Sequence, residues 1–269
     1  MMMKQKIGFI GSGNMAKAMI GGLINNSSIG PQEIMVSSPR QQSIDEIVKQ
    51  YQVIGTTSNC EVASAVEILV LATKPNLYPH IIDEIKNSID YSTIVVSIAA
   101  GQSIEMIEKY FEKPIKLVRT MPNTPALVGE GMTAVMPNSQ ISEEDLLRVI
   151  EIFNSFGKCE RISESLIDAV IAVSGSSPAY VYLFIEAMAD AAVLQGMSRD
   201  MAYQFAAQSV LGAAKMVLKT NLHPGVLKDQ VCSPGGTTIE AVTTLEKTGF
   251  RQSVIHVMEA CADKSKRMN

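Results

Sequence analysis

The sequence predicts an α/β protein in two parts, a doubly wound, mainly parallel sheet over residues 1–163 and an all-α second half over residues 164–269. Three observations predict it. Short apolar runs recur through the first part with room for a helix between them, the pattern of a parallel sheet covered on both faces. A glycine turn, Gly11-x-Gly13-x-x-Ala16, directly follows the first of those runs. Past Glu164 the β-branched runs stop, and Ala, Met and Leu dominate.

The predicted strands are KIGFI (6–10), EIMVS (33–37), EILVLA (67–72), TIVVSIA (93–99) and IKLVRT (115–120). The second half reads as long helices, SSPAYVYLFIEAMADAAVLQGM and then SRDMAYQFAAQSVLGAAKMVLK. Gly196 closes the first and Ser198 caps the next, which predicts an antiparallel pair joined by a tight turn. Ala169 to Ile185 carries no charge, but SGSSP (174–178) is expected to interrupt it with turn chemistry, so it reads as buried core rather than a membrane span. Glu186 and Asp190, four apart on one face, are the only charges between Asp168 and Arg199. A helix apolar almost all round must be covered all round, which this half cannot easily do alone, so a homodimer with interlocked helical halves is expected. The 16 methionines suit an adaptable interface of that kind.

Composition excludes several classes. A chain of 269 residues with 46% apolar content supports two domains with a sizeable core. A net charge of -4 without a Lys/Arg cluster argues against a nucleic-acid partner. Cys60, Cys159, Cys232 and Cys261 are far apart with no CxxC pair, so neither a metal site nor a disulfide framework is indicated, and a reducing cytoplasm fits. The N-terminus runs straight into a strand pattern, without the apolar region and cleavage site of a signal peptide.

The glycine turn identifies the first part as a Rossmann-type domain. Gly11 permits the tight turn, Gly13 lets the backbone approach a pyrophosphate, and Ala16 keeps helix and strand close. With their neighbours Ile10, Ser12, Asn14 and Met15, they form the expected phosphate cradle. The second strand ends in Ser37, Ser38, Pro39 and Arg40, with no acid before Asp45. A hydroxyl and a guanidinium suit a 2′-phosphate, so NADPH is preferred over NADH, with Ser38 and Arg40 at the phosphate. Later strand ends should line the same cofactor: Ala72 and Lys74 in ATKP, Ile98 and Ala100 in SIAAG, and Asn123 in RTMPNTP. Asn59 completes the expected cofactor set.

Hydride transfer to a carbonyl normally needs a proton donor, yet His80, His223 and His256 all read as structural or surface residues. The β-hydroxyacid dehydrogenases place a Lys in the helix that opens their second domain, and SSPAYVYLFIEAMADAA has none. The ordered set of GSGNMA (11–16), VLATKP (70–75), SIAAG (97–101), MPNTP (121–125), SGSSPAY (174–180), GAAKM (212–216), HPGVLKD (223–229) and SPGGTT (233–238) makes the chain resemble the pyrroline-5-carboxylate reductases over nearly its whole length. The resemblance implies NAD(P)H-dependent reduction of the cyclic imine 1-pyrroline-5-carboxylate to L-proline, by a dimer or a ring of dimers. Such chemistry accounts for the missing acid, because a protonated imine already carries the charge that draws hydride.

SPGGTT reads as a second anion site. Thr237 and Glu240 fit a capping box, and Gly235 and Gly236 add unhindered amides ahead of the helix. The resemblance implies that the anion is the substrate carboxylate, that Thr238 is the catalytic hydroxyl reaching the ring nitrogen, and that Ser233 and Glu164 border the substrate. It also implies that the loop lies beside the partner subunit's nicotinamide. Two departures stand out: Gln230 where Asn often precedes the loop, and Ser177 where Gly is commoner. The competing readings are a reductase of another small cyclic imine or hydroxy acid, and a catalytically silent NADP(H) sensor.

Overall fold

A computed structural model of the chain describes residues 5–26 and 29–267. Eight strands form one sheet in the order β3-β2-β1-β4-β5-β6-β7-β8. They are β1 (Gln5–Ile10), β2 (Ile34–Ser37), β3 (Ile54–Thr56), β4 (Val66–Leu71), β5 (Ile94–Ser97), β6 (Lys116–Met121), β7 (Gly131–Pro137) and β8 (Gly157–Arg161). Every pairing is parallel except β6 with β7. The five expected strands are present within a residue or two of their expected bounds. The other three lack the apolar signature: β3 is three residues long, β7 carries Gly and Pro at its ends, and β8 reads GKCER.

The helices of this part are α1 (Asn14–Asn25), α2 (Gln41–Tyr51), α3 (Asn59–Ala65), α4 (Tyr78–Ile85), α5 (Ile104–Phe111) and α6 (Glu143–Asn154). Successive strand residues point to opposite faces, and the core divides accordingly. Phe9, Val70, Val96 and Val118 join Met19 and Leu23 of α1 and Val149 and Phe153 of α6. Leu69, Leu71, Val95 and Leu117 join Val62 of α3, Ile82 of α4 and Ile107 and Phe111 of α5. Full burial of each such side chain contributes roughly 1.5–3 kcal/mol, and this two-sided packing holds the strand ends rigid.

The second half is helical: α7 (Ile167–Val170), α8 (Ser177–Leu194), α9 (Arg199–Thr220), α10 (Pro224–Val231), α11 (Thr237–Lys247) and α12 (Phe250–Lys266). The chain separates into two compact units, the first running to Gly175 and taking in the chain end from Ala262, the second spanning Ser176–Cys261. Residues 164–175 thus pack with the sheet, beyond the expected boundary at 163. SGSSP does interrupt the stretch, by a π turn and a fresh helix start at Ser176 rather than by an open turn. Ile171–Gly175 winds as a single π turn, Ser176 is the N-cap of α8, and Pro178 sits in the first turn, where its missing N–H costs nothing.

Gly196 does close α8, at φ +94, with its own amide on Val193 O (2.9 Å) and that of Met197 on Ala192 O (3.1 Å), a Schellman ending. Ser198 occupies the N-cap of α9 without a side-chain cap bond. The apolar stretch expected as buried core is largely exposed within the single chain: Leu183 is 67% and Tyr182 61% exposed on α8, and Phe205 62% on α9. Glu164–Leu194 is long and apolar enough to cross a membrane by length and composition.

Candidate functional site

β1 and β4 are adjacent while β2 lies on the other side of β1, so the chain reverses its direction of winding at β1. Ligands of such sheets bind beyond the carboxyl ends of the strands at this reversal. Gly11 sits there at φ +108, and a Cβ on it would lie 2.7 Å from Ala72 O and 3.1 Å from Thr73 Cγ2. Its amide donates to Ser37 O (3.0 Å), and the Ala72 amide donates to Ile10 O (2.9 Å), so the ends of β1, β2 and β4 are knit around the turn. Nothing lies within 4 Å of the place a Cβ on Gly13 would take, which leaves open ground in front of α1. Gly13 is the N-cap of α1, extended at φ -73 and ψ 179, with no side-chain cap and no acid in the first turn. The first amides, of Asn14 and Met15 among them, are therefore free to meet an anion. Thr73 Oγ1, beside the turn, is buried without a hydrogen-bond partner.

The end of β2 supplies the next part. Ser38 is 5% exposed with its amide on Thr56 O (3.3 Å), and Arg40 is exposed at the N-cap of α2. No side-chain hydrogen bond or ion pair engages Arg40 among the described residues. A cation opposes the helix dipole at that position unless an anion joins it. Asn59 opens α3, accepts from Ser37 Oγ (2.8 Å) and donates to Glu84 Oε2 (2.9 Å), which fixes its amide between the ends of β2 and α4.

Lys74 is exposed and extended before Pro75, as a pre-proline residue should be. Ile98 is half-buried and Ala100 exposed in the segment after β5. Asn123 is committed internally: its Oδ1 accepts from the Met132 amide (2.9 Å) and its Nδ2 donates to Ser174 O (3.0 Å) in the π turn. Its side chain braces the turn after β6, a role the motif alone did not reveal.

Glu164 is likewise engaged. Its Oε1 accepts from Arg119 Nη1 (2.6 Å) and from the Ile104 amide (2.9 Å). The sequence reading passed over this buried polar group, which also contains Tyr78, Ser97 and Thr120. The Tyr78 hydroxyl donates to Leu71 O (2.8 Å) and pairs with Ser97 Oγ (3.0 Å), while Thr120 Oγ1 donates to Ser97 O (2.9 Å). Burial pushes the Tyr78 phenol well above its ordinary value, so it stays protonated and donating. The available signal was a charge inside an apolar strand, KLVRTM.

In the second unit, Ser233-Pro234-Gly235-Gly236 forms a turn with Gly235 at φ +68 and the Gly236 amide on Ser233 O (3.0 Å). Proline at the second place and a left-handed glycine at the third are the type II pattern. Two expectations are corrected here. The Gly236 amide is used by the turn and is not free. The capping box does not form, because α11 begins at Thr237 and its N-cap is Gly236 with no side-chain cap bond. Glycine at that place leaves the amides of Thr237 and Thr238 free, where a Thr237 cap would have used one. A Cβ on Gly236 would meet Ser233 Oγ, which would have to turn aside to admit it. The hydroxyls of Thr243, Thr244 and Thr248 bond back into their own helix, whereas the half-exposed Thr238 makes no such bond. Gln230 is exposed and makes no side-chain hydrogen bond among the described residues.

The histidines are structural or superficial: His223 Nδ1 accepts from the Gly225 amide at the start of α10 (3.0 Å), His256 pairs with Gln252 (2.6 Å), and His80 is exposed. Among the described residues no group of three or more His, Cys, Asp or Glu is placed to hold a metal. A separate cavity of about 670 Å³ opens at the opposite ends of β1 and β4, but its cations Lys6 and Arg148 are paired with Glu33 and Glu67.

Residues 164–268 match the family model described as pyrroline-5-carboxylate reductase dimerisation, and residues 6–101 match the one described as NADP oxidoreductase coenzyme F420-dependent. The chain is 50% identical over 267 residues to the pyrroline-5-carboxylate reductase of Escherichia coli, covering 99% of each chain. It is 41% identical to that of Synechocystis, again covering 99% of each. Among solved structures, a pyrroline-5-carboxylate reductase from Coxiella burnetii superposes with a TM-score of 0.93 at 33% identity, covering 99% of each chain. The Plasmodium falciparum pyrroline carboxylate reductase with NADP bound superposes at 0.88 and 35% identity, covering 100% of this chain and 99% of that one.

Gly11→Ala tests the first cradle. Forcing a Cβ into a left-handed turn costs about 1–3 kcal/mol, and the turn must shift to relieve it. Fluorescence titration should show NADPH binding weakened at least about tenfold, with a lower melting temperature; unchanged affinity in a folded variant would remove the turn from the site.

Proposed function

The chain belongs to the pyrroline-5-carboxylate reductase family, and from that premise we propose how its own residues divide the work of the reaction. The activity is NAD(P)H-dependent reduction of 1-pyrroline-5-carboxylate to L-proline, the last step of proline biosynthesis. The observation that carries the assignment of roles is that two helices, α1 and α11, open on uncapped glycines, one at each anion site.

The residues of the first cradle fit a dinucleotide: a Cβ-free approach at Gly13, free helical amides, and an unpaired Thr73 hydroxyl beside Gly11. The α1 amides would hold the pyrophosphate, and Ile10, Ser12, Asn59, Ala72, Lys74 and Asn123 border it. Ser38 and Arg40 favour NADPH over NADH by offering a hydroxyl and a guanidinium to the 2′-phosphate. When bound, the reduced nicotinamide supplies a hydride to the imine carbon. Ile98 and Ala100 provide the low-profile surface against which that ring lies.

At the second site, the Gly235, Thr237 and Thr238 amides hold the substrate carboxylate, helped by the dipole of α11, while Ser233 and Gly236 shape the turn. The Thr238 hydroxyl, which no helix carbonyl engages, orients the ring nitrogen. A protonated imine needs no general acid at an oxygen, so positioning and electrostatics carry the step. The exposed apolar faces of α8 and α9 are the surface of self-association, which accords with the dimerisation model that matches residues 164–268. We place the enzyme in the cytoplasm as a homodimer or a ring of dimers, without a membrane or nucleic-acid partner, and read Glu164–Leu194 as interface helix.

The direct test follows NADPH absorbance with racemic pyrroline-5-carboxylate and identifies the product as proline; NADPH binding without turnover would leave the silent-sensor reading. Thr238→Ala should lower kcat about 10- to 100-fold, the worth of a hydrogen bond to a charged group, and leave NADPH affinity within about twofold. Equal loss of both in folded protein would defeat the assignment of Thr238. Arg40→Glu should weaken NADPH at least about tenfold while NADH changes little, since only the former carries the phosphate that the new charge repels; an unaltered preference would place Arg40 outside the site. Sedimentation of the wild type should give a dimer or larger, and a 29.1 kDa monomer at concentrations that support turnover would overturn the interface.

A further inference from the structure

The segment 98–103 joins β5 to α5 and contains Ala99, Ala100 and Gly101. We propose that Arg119 and Glu164 form a latch that sets the position of this segment, making Glu164 a positioning residue rather than a substrate ligand. The inference rests on the reading above that the segment receives the nicotinamide.

Arg119 lies within β6, in register with Ser97 on β5 and Met136 on β7, and is 3% exposed. A buried guanidinium is costly unless paired, and its ion-pair partner is Glu164, whose side chain is 34% exposed. The same carboxylate oxygen, Oε1, takes the Arg119 Nη1 donor at 2.6 Å and the Ile104 amide at 2.9 Å. Ile104 is the first residue of α5, so this oxygen ties the far end of the segment to β6. A carboxylate suits the place for a second reason, because the dipole of α5 favours negative charge at its start.

The near end is tied to the neighbouring residue of the same strand. Thr120 Oγ1 donates to Ser97 O at 2.9 Å, and Ser97 Oγ pairs with the buried Tyr78 hydroxyl at 3.0 Å. Consecutive residues of β6 therefore hold both ends of a segment rich in small residues, which has few side chains of its own to fix it. Arg119 Nη2 and Gln102 Oε1 are both buried without partners, so neither adds a second tie between β6 and the segment. The grip on the far end passes through one oxygen.

This assignment separates two roles for Glu164. A substrate ligand would act through its charge on the substrate, whereas the latch needs an accepting oxygen at a fixed place. The conservative variant Glu164→Gln keeps that oxygen, and Glu164→Ala removes it.

The experiment uses the full-length protein, with hydrogen exchange of the 98–104 amides measured without cofactor, alongside kcat and KM for both substrates. Glu164→Ala should speed exchange of these amides by about tenfold or more while the β1 and β4 amides keep their protection. It should lower kcat by about tenfold or more with the KM for pyrroline-5-carboxylate within about twofold, the mark of lost orientation rather than lost binding. Glu164→Gln should restore both the protection and most of kcat. Should Glu164→Ala fail to fold, Arg119→Lys, which keeps the charge but shortens the reach, is expected to speed the same exchange and lower kcat. The proposal is overturned if the folded variants leave exchange at 98–104 unchanged, or if Glu164→Gln raises the substrate KM as far as Glu164→Ala does. A wild-type protein that does not turn over pyrroline-5-carboxylate would count against the functional reading instead, while the exchange arm would still decide whether the latch exists.

Discussion

At Gly11 three strand ends are drawn into one turn. Its amide reaches the last carbonyl of β2, the residue after β4 reaches the last carbonyl of β1, and its missing Cβ admits the Ala72 carbonyl. Any side chain there would push β1 away from β4, the pairing at which the winding reverses. The consequences spread outward from this contact. With the strand ends fixed, α1 starts at Gly13 in the open, and the hydroxyl and guanidinium after β2 are held on the neighbouring strand end. The cradle is thus a property of how the sheet closes at its point of reversal, more than of any one contacting side chain.

What was legible in the sequence follows the same logic. A strand buried on both faces must be apolar throughout, so β1, β2, β4, β5 and β6 announced themselves, and the glycine spacing marked the turn between β1 and α1. β7 and β8 did not, because β8 alternates polar residues at the sheet edge and β7 ends in Gly and Pro, so neither presents a continuous apolar run. SGSSP announced an interruption but not its form. Serine and glycine are accommodated there by a π turn whose carbonyl at Ser174 is taken by Asn123, a partner 51 residues away that no local rule could supply. The roles of Asn123 and Glu164 were hidden for the same reason: both are set by long-range hydrogen bonds, and short motifs report only local ones.

The helical unit poses the opposite problem. Its apolar faces were visible in the sequence, but their cover was not within the chain. Ala189 is the only buried residue among the described residues of α8, and Leu218 of α9 is 73% exposed. Covering each such large side chain contributes roughly 1.5–3 kcal/mol, so a surface with many of them drives association strongly. That is why the stretch from Glu164 to Leu194 satisfies the length and hydropathy of a membrane span while carrying the family's dimerisation segment. Hydrophobicity alone does not distinguish a lipid from a second protein surface. The match of residues 164–268 to a dimerisation model favours the second.

The N-caps show how the chain allots its helix amides. Ser58, Ser103 and Ser142 cap α3, α5 and α6 with side-chain oxygens that accept from the third helical amide. At α1 and α11 the cap is glycine, with nearly the same extended backbone in both: φ -73 and ψ 179 at Gly13, φ -81 and ψ 172 at Gly236. A serine at either place would stabilise its helix by only a few tenths of a kcal/mol over glycine. It would also occupy an amide that an anion needs and set a Cβ in the approach. These glycine caps at α1 and α11 are what the proposed assignment uses, with the pyrophosphate before one helix and the carboxylate before the other. A small loss of local helix stability at each end is offset when the ligand itself becomes the cap.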